Sequence, residues 1–396
     1  MPKGMRDFLP IEKARRERVL NVIRKSYNDY GFHEIETPAL EDIQRLRSSD
    51  GGDNTKMTFD VLKRKLKKTD IDAIADSRDL TDLGLRFDLT VPLVRFYEDN
   101  KNHLPKVFKS VQIAPVWRAE RPQKGRYRQF IQCDIDVIGE QGQLAEIELI
   151  TVTIATLKAL GITNFQIKMN DRKLLSTFLD KAGISQEKRK AVFVILDKID
   201  KSSPEVIQLE LIALGLSSSQ AEALVQPYIL GSDEDLVKII DAVNRLAGKV
   251  VAVFDPFLIR GMGYYTGTIF EVASESEGYS LGGGGRYDDM IGRFSNTNVP
   301  AVGFSLGFER IVDLAVLPAN AEEQKSIALL YDAGMDPILL MQFAEYMVER
   351  GFQSRLILKA RNTRKQLDDL KAEKFTFFSF VSPTSLAEDI IPRQFG

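Results

Sequence analysis

Residues 117–139 read WRAERPQKGRYRQFIQCDIDVIG, and both the fold and the function are inferred outward from this stretch. Its centre, PQKG, is typical of a turn, and the segments on either side are strand candidates. Between Arg118 and Arg128 five basic residues stand against one acid, Glu120. A guanidinium held on a strand can bind a phosphate through two parallel hydrogen bonds. The hairpin is therefore a candidate phosphate or RNA site, and a solvated charge run on an ordinary hairpin is the alternative.

Further strand candidates surround this hairpin and define the fold class. VFKSVQIAPVWRAE leads into it, while FEVASES and YSLGGGG follow it, and loops rather than repeated crossover helices separate them. This organisation favours an antiparallel sheet over a doubly wound parallel one. The segment that begins near Arg172 instead shows helical periodicity, with Ser or Asp at the expected N-caps. We predict an α+β fold, with an antiparallel sheet flanked by helices in 1–171 and 249–318, a helical insertion in 172–248 and a small α/β domain in 325–396.

Composition narrows the function classes. The 396 residues include 54 basic and 56 acidic side chains, so any nucleic-acid contact must come from local patches. One cysteine, Cys133, and two histidines nearly exclude a His/Cys metal site, and we expect no metal held by protein ligands. The apolar stretches are interrupted well before the roughly 18 residues that a membrane span needs. We expect a cytoplasmic protein without membrane contact.

Three later segments carry further ligand-binding signals. In LIRGMGYYTGTIFEV, residues 258–272, an arginine, glycines and two tyrosines suit a small polar ligand, or else a tight strand bend. In SLGGGGRYDDM, residues 280–290, the four glycines predict bare backbone at the floor of a pocket rather than a core strand, with a flexible loop as the alternative. In VPAVGFSLGFERIVDLA, residues 299–315, Arg310 suits a purine ring and a triphosphate, or else a buried ion pair or solvent.

In this order the segments resemble the histidyl-tRNA synthetase family of class II aminoacyl-tRNA synthetases. GFHEIETPALE resembles the first class motif, WRAERPQKGRYRQF the second and VGFSLGFERI the third. RGMGYYTGTIFE and GGGGRYDD resemble the two histidine-specific segments, and RFDLT and QCDID resemble further parts of the histidine pocket. The resemblance runs from Pro2 to about Ala315 and is weaker in the C-terminal domain. Because the first motif builds the dimer interface in the family, it implies a homodimer.

The resemblance implies ATP-dependent activation of histidine and its transfer to tRNA(His) through a histidyl-adenylate, with Mg²⁺ on the outer phosphates of ATP. It assigns catalysis to Arg118, Arg260 and Arg310. Arg118 and Arg260 would contact the α-phosphate, and Arg260 would occupy a place where sister enzymes use a metal. Arg310 would lie against the adenine and the bent triphosphate. Glu120 would read the adenine amino group, and Tyr127 would complete the ATP site.

The resemblance also implies how histidine and tRNA are bound. Asp88, Thr90 and Gln132 would surround the substrate ammonium. The imidazole would lie among Asp136, Tyr264 and Tyr265, and Arg260 would contact histidine as well as ATP. A site that hydrogen-bonds both ring nitrogens rejects amino acids that leave those groups unpaired. The tRNA acceptor end would meet the second-motif loop at Arg121, Gln123, Lys124 and Arg126.

Three departures from the family pattern and two alternative functions remain open. Gly263 stands where the family commonly has an acid, and Asp88 stands where it often has a glutamate. The resemblance implies a catalytic core in 1–171 and 249–318 and a truncated anticodon-binding-like domain in 325–396, which lacks an expected final strand and helix. One alternative is a catalytically silent regulatory subunit whose partner is the ATP phosphoribosyltransferase catalytic subunit. Such subunits tend to lose the second-motif loop, which is whole here. A tRNA-binding sensor module is a third possibility.

Overall fold

The computed structural model describes residues 1–48, 57–72, 76–122, 125–196, 198–199, 202–226, 234–259, 264–293, 298–317 and 325–395. The chain forms two compact units, Met1–Leu317 and Pro318–Gly396. The finer division into a core interrupted by an insertion stays a prediction.

The first unit contains both strands and helices. Its strands are β1 (His33–Glu34), β2 (Leu40–Asp42), β3 (Phe59–Leu62), β4 (Thr81–Leu85), β5 (Phe108–Trp117), β6 (Gln129–Ile138), β7 (Phe165–Asp171), β8 (Ala252–Phe254), β9 (Thr268–Ser274), β10 (Ser280–Arg286) and β11 (Ala301–Gly307). Its helices are α1 (Pro10–Asp29), α2 (Ile43–Ser48), α3 (Lys68–Asp72), α4 (Thr90–Asn100), α5 (Leu144–Ala159), α6 (Arg172–Lys181), α7 (Gln186–Leu196), α8 (Pro204–Ala213), α9 (Ser218–Val225), α10 (Glu234–Ala247), α11 (Asp288–Gly292) and α12 (Phe308–Leu314). Helices α6 to α10 follow one another without an intervening strand among the described residues.

A large sheet organises this unit. Among the described residues it has eight strands in the order β1-β5-β6-β11-β10-β9-β7-β8. Parallel pairing joins β1 to β5 and β7 to β8 at the two edges, and the pairs between them are antiparallel. A smaller sheet follows the order β2-β4-β3. The predicted α+β class, with a mainly antiparallel sheet flanked by helices, is confirmed.

The large sheet has one apolar face and one polar face, because successive side chains of a strand point to opposite sides. In β6, Cys133, Ile135 and Val137 are at most 1% exposed and belong to the main hydrophobic core. Helices α1, α5, α10 and α12 contribute the other side of that core. Residues 132, 134 and 136 of the same strand point the opposite way, so the functional side chains lie on the face that these helices leave uncovered.

The YSLGGGG segment is confirmed as a strand, and Gly283 and Gly284 line a cleft, in agreement with the predicted pocket floor. The expectation that a core strand has little use for four glycines is wrong. These glycines form β10, between β9 and β11 in the middle of the sheet. A Cβ on Gly284 would lie 1.9 Å from the carbonyl oxygen of Gly303, and one on Gly282 would lie 2.6 Å from that of Ser305. The neighbouring backbone is too close for side chains, so close approach outweighs the entropy cost that glycine carries in a strand.

Helices α6 to α9 pack around a second hydrophobic cluster that includes Leu179, Leu211 and Leu224. Local sequence explains their starts. The Asp171 side chain accepts a hydrogen bond from the Lys173 amide and caps α6, while Ser217 and Gln220 form a capping box before α9. Proline begins α8, where its missing N–H carries no cost.

The second unit is a small α/β structure. Its elements are β12 (Ser326–Tyr331), α13 (Pro337–Glu349), β13 (Gln353–Leu358), α14 (Thr363–Ala372), β14 (Phe377–Val381) and β15 (Arg393–Gln394). The strand order is β13-β12-β14-β15, parallel except for the last pair. This agrees with the predicted C-terminal α/β class.

Candidate active site

A cleft on the polar face of the large sheet brings together segments that lie far apart in the sequence. Strands β6, β10 and β11 contribute most of its lining. The turn before α4 and the two tyrosines that precede β9 contribute further residues. The lining residues are Met57, Phe87, Asp88, Thr90, Arg118, Gln132, Asp134, Asp136, Tyr264, Tyr265, Gly283, Gly284, Tyr287, Gly303, Phe304 and Ser305. The structure therefore places all the predicted histidine-site residues except Arg260 in one cleft, while their individual roles stay predictions.

Strand β6 supplies the polar floor of the cleft. Gln132, Asp134 and Asp136 follow one another at every second position, so they share the face opposite the core. Asp134 was not predicted, although it lies within the QCDID segment. The same period of two that relates Gln132 to Asp136 also selects Asp134, so strand alternation was the signal that could have identified it.

The cleft carboxylates are buried close to one another, and burial disfavours their charged form. Desolvation raises the pKa of Asp136 to about 7. The negative charge of Asp88 adds to this rise, and a hydrogen bond from Tyr287 opposes it. Desolvation and the neighbouring Asp136 raise the pKa of Asp134 well above its ordinary value, while a hydrogen bond with Ser305 opposes the rise. The cleft is therefore an environment in which a cationic ligand would relieve an unfavourable concentration of carboxylates.

Aromatic side chains surround Asp136 in the cleft. The Tyr287 hydroxyl donates to Asp136 Oδ1 at 2.6 Å. The Tyr264 hydroxyl donates to that of Tyr265 at 3.4 Å, and their ring centroids are 4.5 Å apart. Gly303 is required opposite this group, since a Cβ there would lie 2.0 Å from Asp136 Oδ1. Tyr287 is a second cleft residue without a predicted role, although its GGGGRYDD segment was quoted.

Arg118 brings a guanidinium to the same cleft. It stands directly after β5, where its amide donates to the Arg128 carbonyl across the hairpin at 2.8 Å. Its Nε donates to the Phe87 carbonyl at 3.0 Å, and its guanidinium lies 5.1 Å from the Phe130 ring centroid. These contacts hold the side chain in the lining of a cleft otherwise rich in carboxylates.

The second-motif loop lies outside this lining. Glu120, Arg121 and Arg126 are exposed and Tyr127 is half-buried, with the Arg6 guanidinium 3.8 Å from the Tyr127 ring centroid. Arg128 Nε donates to the Glu120 carbonyl at 3.0 Å, which ties the two arms of the loop together. Gln123 and Lys124, both predicted to meet tRNA, lie outside the described residues.

The other two predicted catalytic arginines differ from Arg118. Arg310 is not among the lining residues named above; it donates to the Ser280 carbonyl, and its guanidinium lies 4.8 Å from the Tyr279 ring centroid. Its side chain approaches Gly125 of the second-motif loop. Arg260 lies outside the described residues. The convergence of three guanidiniums on one nucleotide stays a prediction.

An ion cluster centred on the buried Glu309 contacts β6 of the hairpin and was not predicted. Glu309, 8% exposed, accepts from Arg16 at 2.6 and 2.8 Å and from Arg6 at 2.7 Å. It also accepts from the Ile131 amide of β6 at 3.3 Å. The buried ion pair considered for Arg310 is thus formed by the neighbouring glutamate, which joins the N-terminal segment to the sheet.

The comparisons with known proteins identify the family. A family model described as histidyl-tRNA synthetase matches residues 4–311. The chain belongs to the histidyl-tRNA synthetase family.

Two curated relatives and one solved structure agree with this family. The histidine–tRNA ligase of Leifsonia xyli subsp. xyli (strain CTCB07) is 48% identical, and the match covers 96% of this chain and 94% of that protein. The probable histidine–tRNA ligase of Tropheryma whipplei (strain Twist) is 40% identical over 99% of this chain and 98% of that protein. The crystal structure of histidyl-tRNA synthetase from Nostoc sp. PCC 7120 superposes with a TM-score of 0.75 at 26% identity, covering 96% of this chain and 91% of that one.

A second solved structure shares the fold of this family member. It is described as an ATP phosphoribosyltransferase regulatory subunit/histidyl-tRNA synthetase from Bacillus halodurans C, with a TM-score of 0.76 at 20% identity. The match covers 97% of this chain and 98% of that one. At this identity the likeness concerns the architecture alone, so it does not favour the regulatory function over the ligase function.

Among the described residues there is neither a candidate metal site nor a candidate membrane span. Across the described ranges no group of three His, Cys, Asp or Glu side chains could hold a metal ion. In the same part of the chain no helix is both long and apolar enough to cross a bilayer.

Proposed function

We propose that the chain activates histidine with ATP and transfers the histidyl group to tRNA(His) through a histidyl-adenylate. The observation that carries the proposal is one cleft lined by Arg118 and by three aspartates, in a member of the histidyl-tRNA synthetase family. Curated relatives with histidine–tRNA ligase activity in their names, matched over nearly the whole chain, support it.

Recognition of histidine would rest on its positive charge and its ring. The ammonium would lie among Asp88, Thr90 and Gln132, where a cation offsets the buried carboxylates. One Asp88 oxygen already accepts from the Val91 amide at 3.1 Å, which fixes the carboxylate at the start of α4. The imidazole would lie near Asp136, whose other contact with Tyr287 holds it in place.

Selectivity for histidine would follow from these polar groups. Asp136, Tyr264 and Tyr265 can hydrogen-bond the two ring nitrogens, one as acceptor and the others as either donor or acceptor. An amino acid without those nitrogens would leave buried polar groups unpaired, which enzymes of this kind reject strongly.

Activation joins two groups that repel each other. A histidine carboxylate oxygen attacks the α-phosphorus of ATP, a new P–O bond forms, and the bond to pyrophosphate breaks. Arg118 would offset the negative charge that collects on the α-phosphate, and its two anchoring contacts would position it before the reaction. Arg260 would supply a second guanidinium and also contact histidine. A hydroxyl of the tRNA acceptor end then attacks the carbonyl carbon of the adenylate, and AMP leaves.

The remaining assignments extend the proposal to the nucleotide. Arg310, Glu120 and Tyr127 would contact ATP from the third motif and the second-motif loop. Mg²⁺ would be bound by the outer phosphates, because the described residues offer no cluster of protein ligands, and no step here is assigned to it.

The proposal also covers macromolecular partners and location. The exposed Arg121 and Arg126, together with Gln123 and Lys124, would meet the acceptor end of tRNA(His). The first-motif segment would build a homodimer, and the enzyme would act in the cytoplasm. The core of 1–171 and 249–318, the insertion of 172–248 and the anticodon-binding-like domain of 325–396 belong to the same proposal.

Histidine-dependent exchange of pyrophosphate into ATP tests this function. The purified chain is expected to catalyse exchange with histidine and not with other amino acids, and then to charge tRNA(His). A catalytically silent regulatory subunit would show no exchange and would instead activate an ATP phosphoribosyltransferase catalytic subunit. Absent exchange combined with that activation would overturn the ligase proposal.

A further inference from the structure

We propose that Asp134 is a positioning residue that orients the Gln132 side-chain amide, so that Gln132 Oε1 accepts from the ammonium group of the substrate. The inference rests on the proposed function, because it takes histidine as the ligand of the cleft. It assigns a role to a buried carboxylate that the histidine contacts proposed above leave unused.

The geometry places three polar groups in one short network. Gln132 and Asp134 stand two residues apart on the cleft face of β6, and Ser305 is the direct partner of Asp134 on β11. Gln132 Nε2 lies 3.4 Å from both Asp134 oxygens and 3.0 Å from Ser305 Oγ. Gln132 is 9% exposed and Asp134 is 4% exposed, so water reaches this network poorly.

The donors and acceptors of this network determine which way the amide faces. A carboxylate only accepts, so the amide nitrogen, and not the amide oxygen, belongs beside Asp134. Gln132 Oε1 is left as a buried acceptor without a hydrogen-bond partner in the described part of the chain. A buried polar atom of this kind is costly unless a ligand completes its hydrogen bonding.

An ammonium group supplies what this oxygen lacks. It offers three donors and no acceptor, so it binds Oε1 and is repelled by an amide N–H. If the amide turned over, its N–H groups would face the substrate cation. Arrival of the cation also favours the ionised form of the surrounding carboxylates, in which Asp134 acts as an acceptor only. Asp134 thereby holds the Gln132 amide in one of its two orientations, with Oε1 facing the substrate as an acceptor.

A charge-conserving exchange of the two side chains tests this role. Asp134→Asn allows the Gln132 amide to face either way and is expected to weaken histidine binding about tenfold, while kcat in pyrophosphate exchange changes by less than about threefold. Gln132→Glu places a second carboxylate beside Asp134 and weakens binding similarly. The double variant Asp134→Asn/Gln132→Glu restores a donor facing an acceptor, with a carboxylate oxygen toward the substrate, and is expected to recover wild-type affinity to within about threefold.

A ligand without an ammonium group serves as the matched control. Titration calorimetry with L-histidine and with 3-(imidazol-4-yl)propionate separates loss of the ammonium contact from general damage to the cleft. Asp134→Asn is expected to weaken histidine and leave the propionate unchanged. Equal losses for both ligands, or no recovery in the double variant, would overturn the positioning role. A direct contact between Asp134 and the ammonium predicts no recovery, because the exchange removes that carboxylate.

Two further measurements keep the outcome decisive. Ser305→Ala removes the other acceptor of the same amide nitrogen and is expected to give a smaller loss, again confined to histidine, so it replaces Asp134→Asn if that variant does not fold. No loss in Ser305→Ala would then count against the network. Absence of histidine binding by the wild-type chain would instead refute the proposed function, whereas wild-type binding without recovery in the double variant refutes only this inference.

Discussion

Strand β6 presents two faces of opposite chemistry within ten residues. On one face, Cys133 to Val137 at the odd positions pack against helices and are almost wholly buried. On the other face, Gln132 to Asp136 at the even positions are buried nearly as deeply but are polar or acidic. Burial is therefore similar on both faces, and only the chemistry of the side chains differs.

The difference between the two faces separates residues that stabilise the fold from residues that would bind a ligand. Burying apolar groups favours folding by about 25 cal/mol for each Å² removed from water. Burying carboxylates has the opposite effect, and the raised pKa values of Asp134 and Asp136 show that their charged forms are disfavoured in the folded chain. Burial of the apolar face stabilises the sheet. Burial of the carboxylates on the polar face costs free energy, and binding of a cation would reduce that cost. Four substitutions test this contrast.

The largest effect is expected at Arg118, in the lining of the cleft. Arg118→Ala should lower the rate of histidyl-adenylate formation by on the order of 10²–10³, since a positioned donor to the transition state is lost. The unfolding midpoint should change little, because the side chain is only half-buried. Pyrophosphate exchange measures the rate, with Arg245→Ala on the exposed side of α10 as the control. An exchange rate close to that of the wild type would remove Arg118 from the reaction.

The apolar face should respond in the opposite way. Ile135 is fully buried, and Ile135→Ala is expected to lower the free energy of unfolding by about 3 kcal/mol through lost burial and a residual cavity. Urea denaturation measures this loss, and Val250→Ala, at a position 75% exposed, should change it by less than about 0.5 kcal/mol. The histidine KM of the folded variant should stay near that of the wild type. A large KM change without destabilisation would contradict the division between the faces.

Asp136 should give a pH-dependent effect of intermediate size. Its pKa is about 7 in the folded chain, against an ordinary value near 4, so between these pH values the folded state holds a proton that the unfolded state has released. The contribution of Asp136 to stability is therefore fully present below about pH 4 and is lost as the pH rises through about 7. Asp136→Asn removes this loss and should stabilise the ligand-free chain by about 2 kcal/mol at pH 8, with little difference at pH 4.

Two measurements check the Asp136 prediction. Denaturation at several pH values should show the stability difference growing from acid to neutral pH, while histidine binding at pH 8 is strongly reduced. A constant difference across that range would mean that Asp136 does not titrate as described. Unchanged histidine binding would remove it from the imidazole site.

The smallest effect is expected in the hairpin loop, away from both faces. Arg126→Ala should raise the KM for tRNA(His) severalfold and reduce the slope of log affinity against log salt by about 1, as expected for one lost phosphate contact. Exchange of pyrophosphate does not involve tRNA and should be unaffected. An unchanged salt slope would exclude a phosphate contact for this exposed side chain.

Much of the cleft could be predicted because its residues lie in short segments that resemble those of the family. Gln132 and Asp136 were identified within one strand, and Tyr264 and Tyr265 within one turn. Asp134 was missed because family resemblance selected particular positions, whereas the alternation of the strand selects every second residue. Asp134 is also the residue on which the positioning inference depends.

The errors arose where an outcome depends on partners that are distant in sequence. The glycine run was expected to avoid the core because its entropy cost is local, but Gly284 lies against the backbone of Gly303 on the next strand. Glu309 pairs with Arg6 and Arg16, which are 303 and 293 residues away, and no spacing rule connects them.

The amino-acid sequence by itself determined the residue types, the period of two in β6 and the order of the family segments, because these depend on neighbours along the chain. Only the tertiary structure decided that β11 lies between β6 and β10, and hence that Ser305 faces Asp134 and that Gly303 leaves room for Asp136. The physical reason is that a side chain's direction follows from its own strand, whereas its partner follows from which strand hydrogen-bonds alongside.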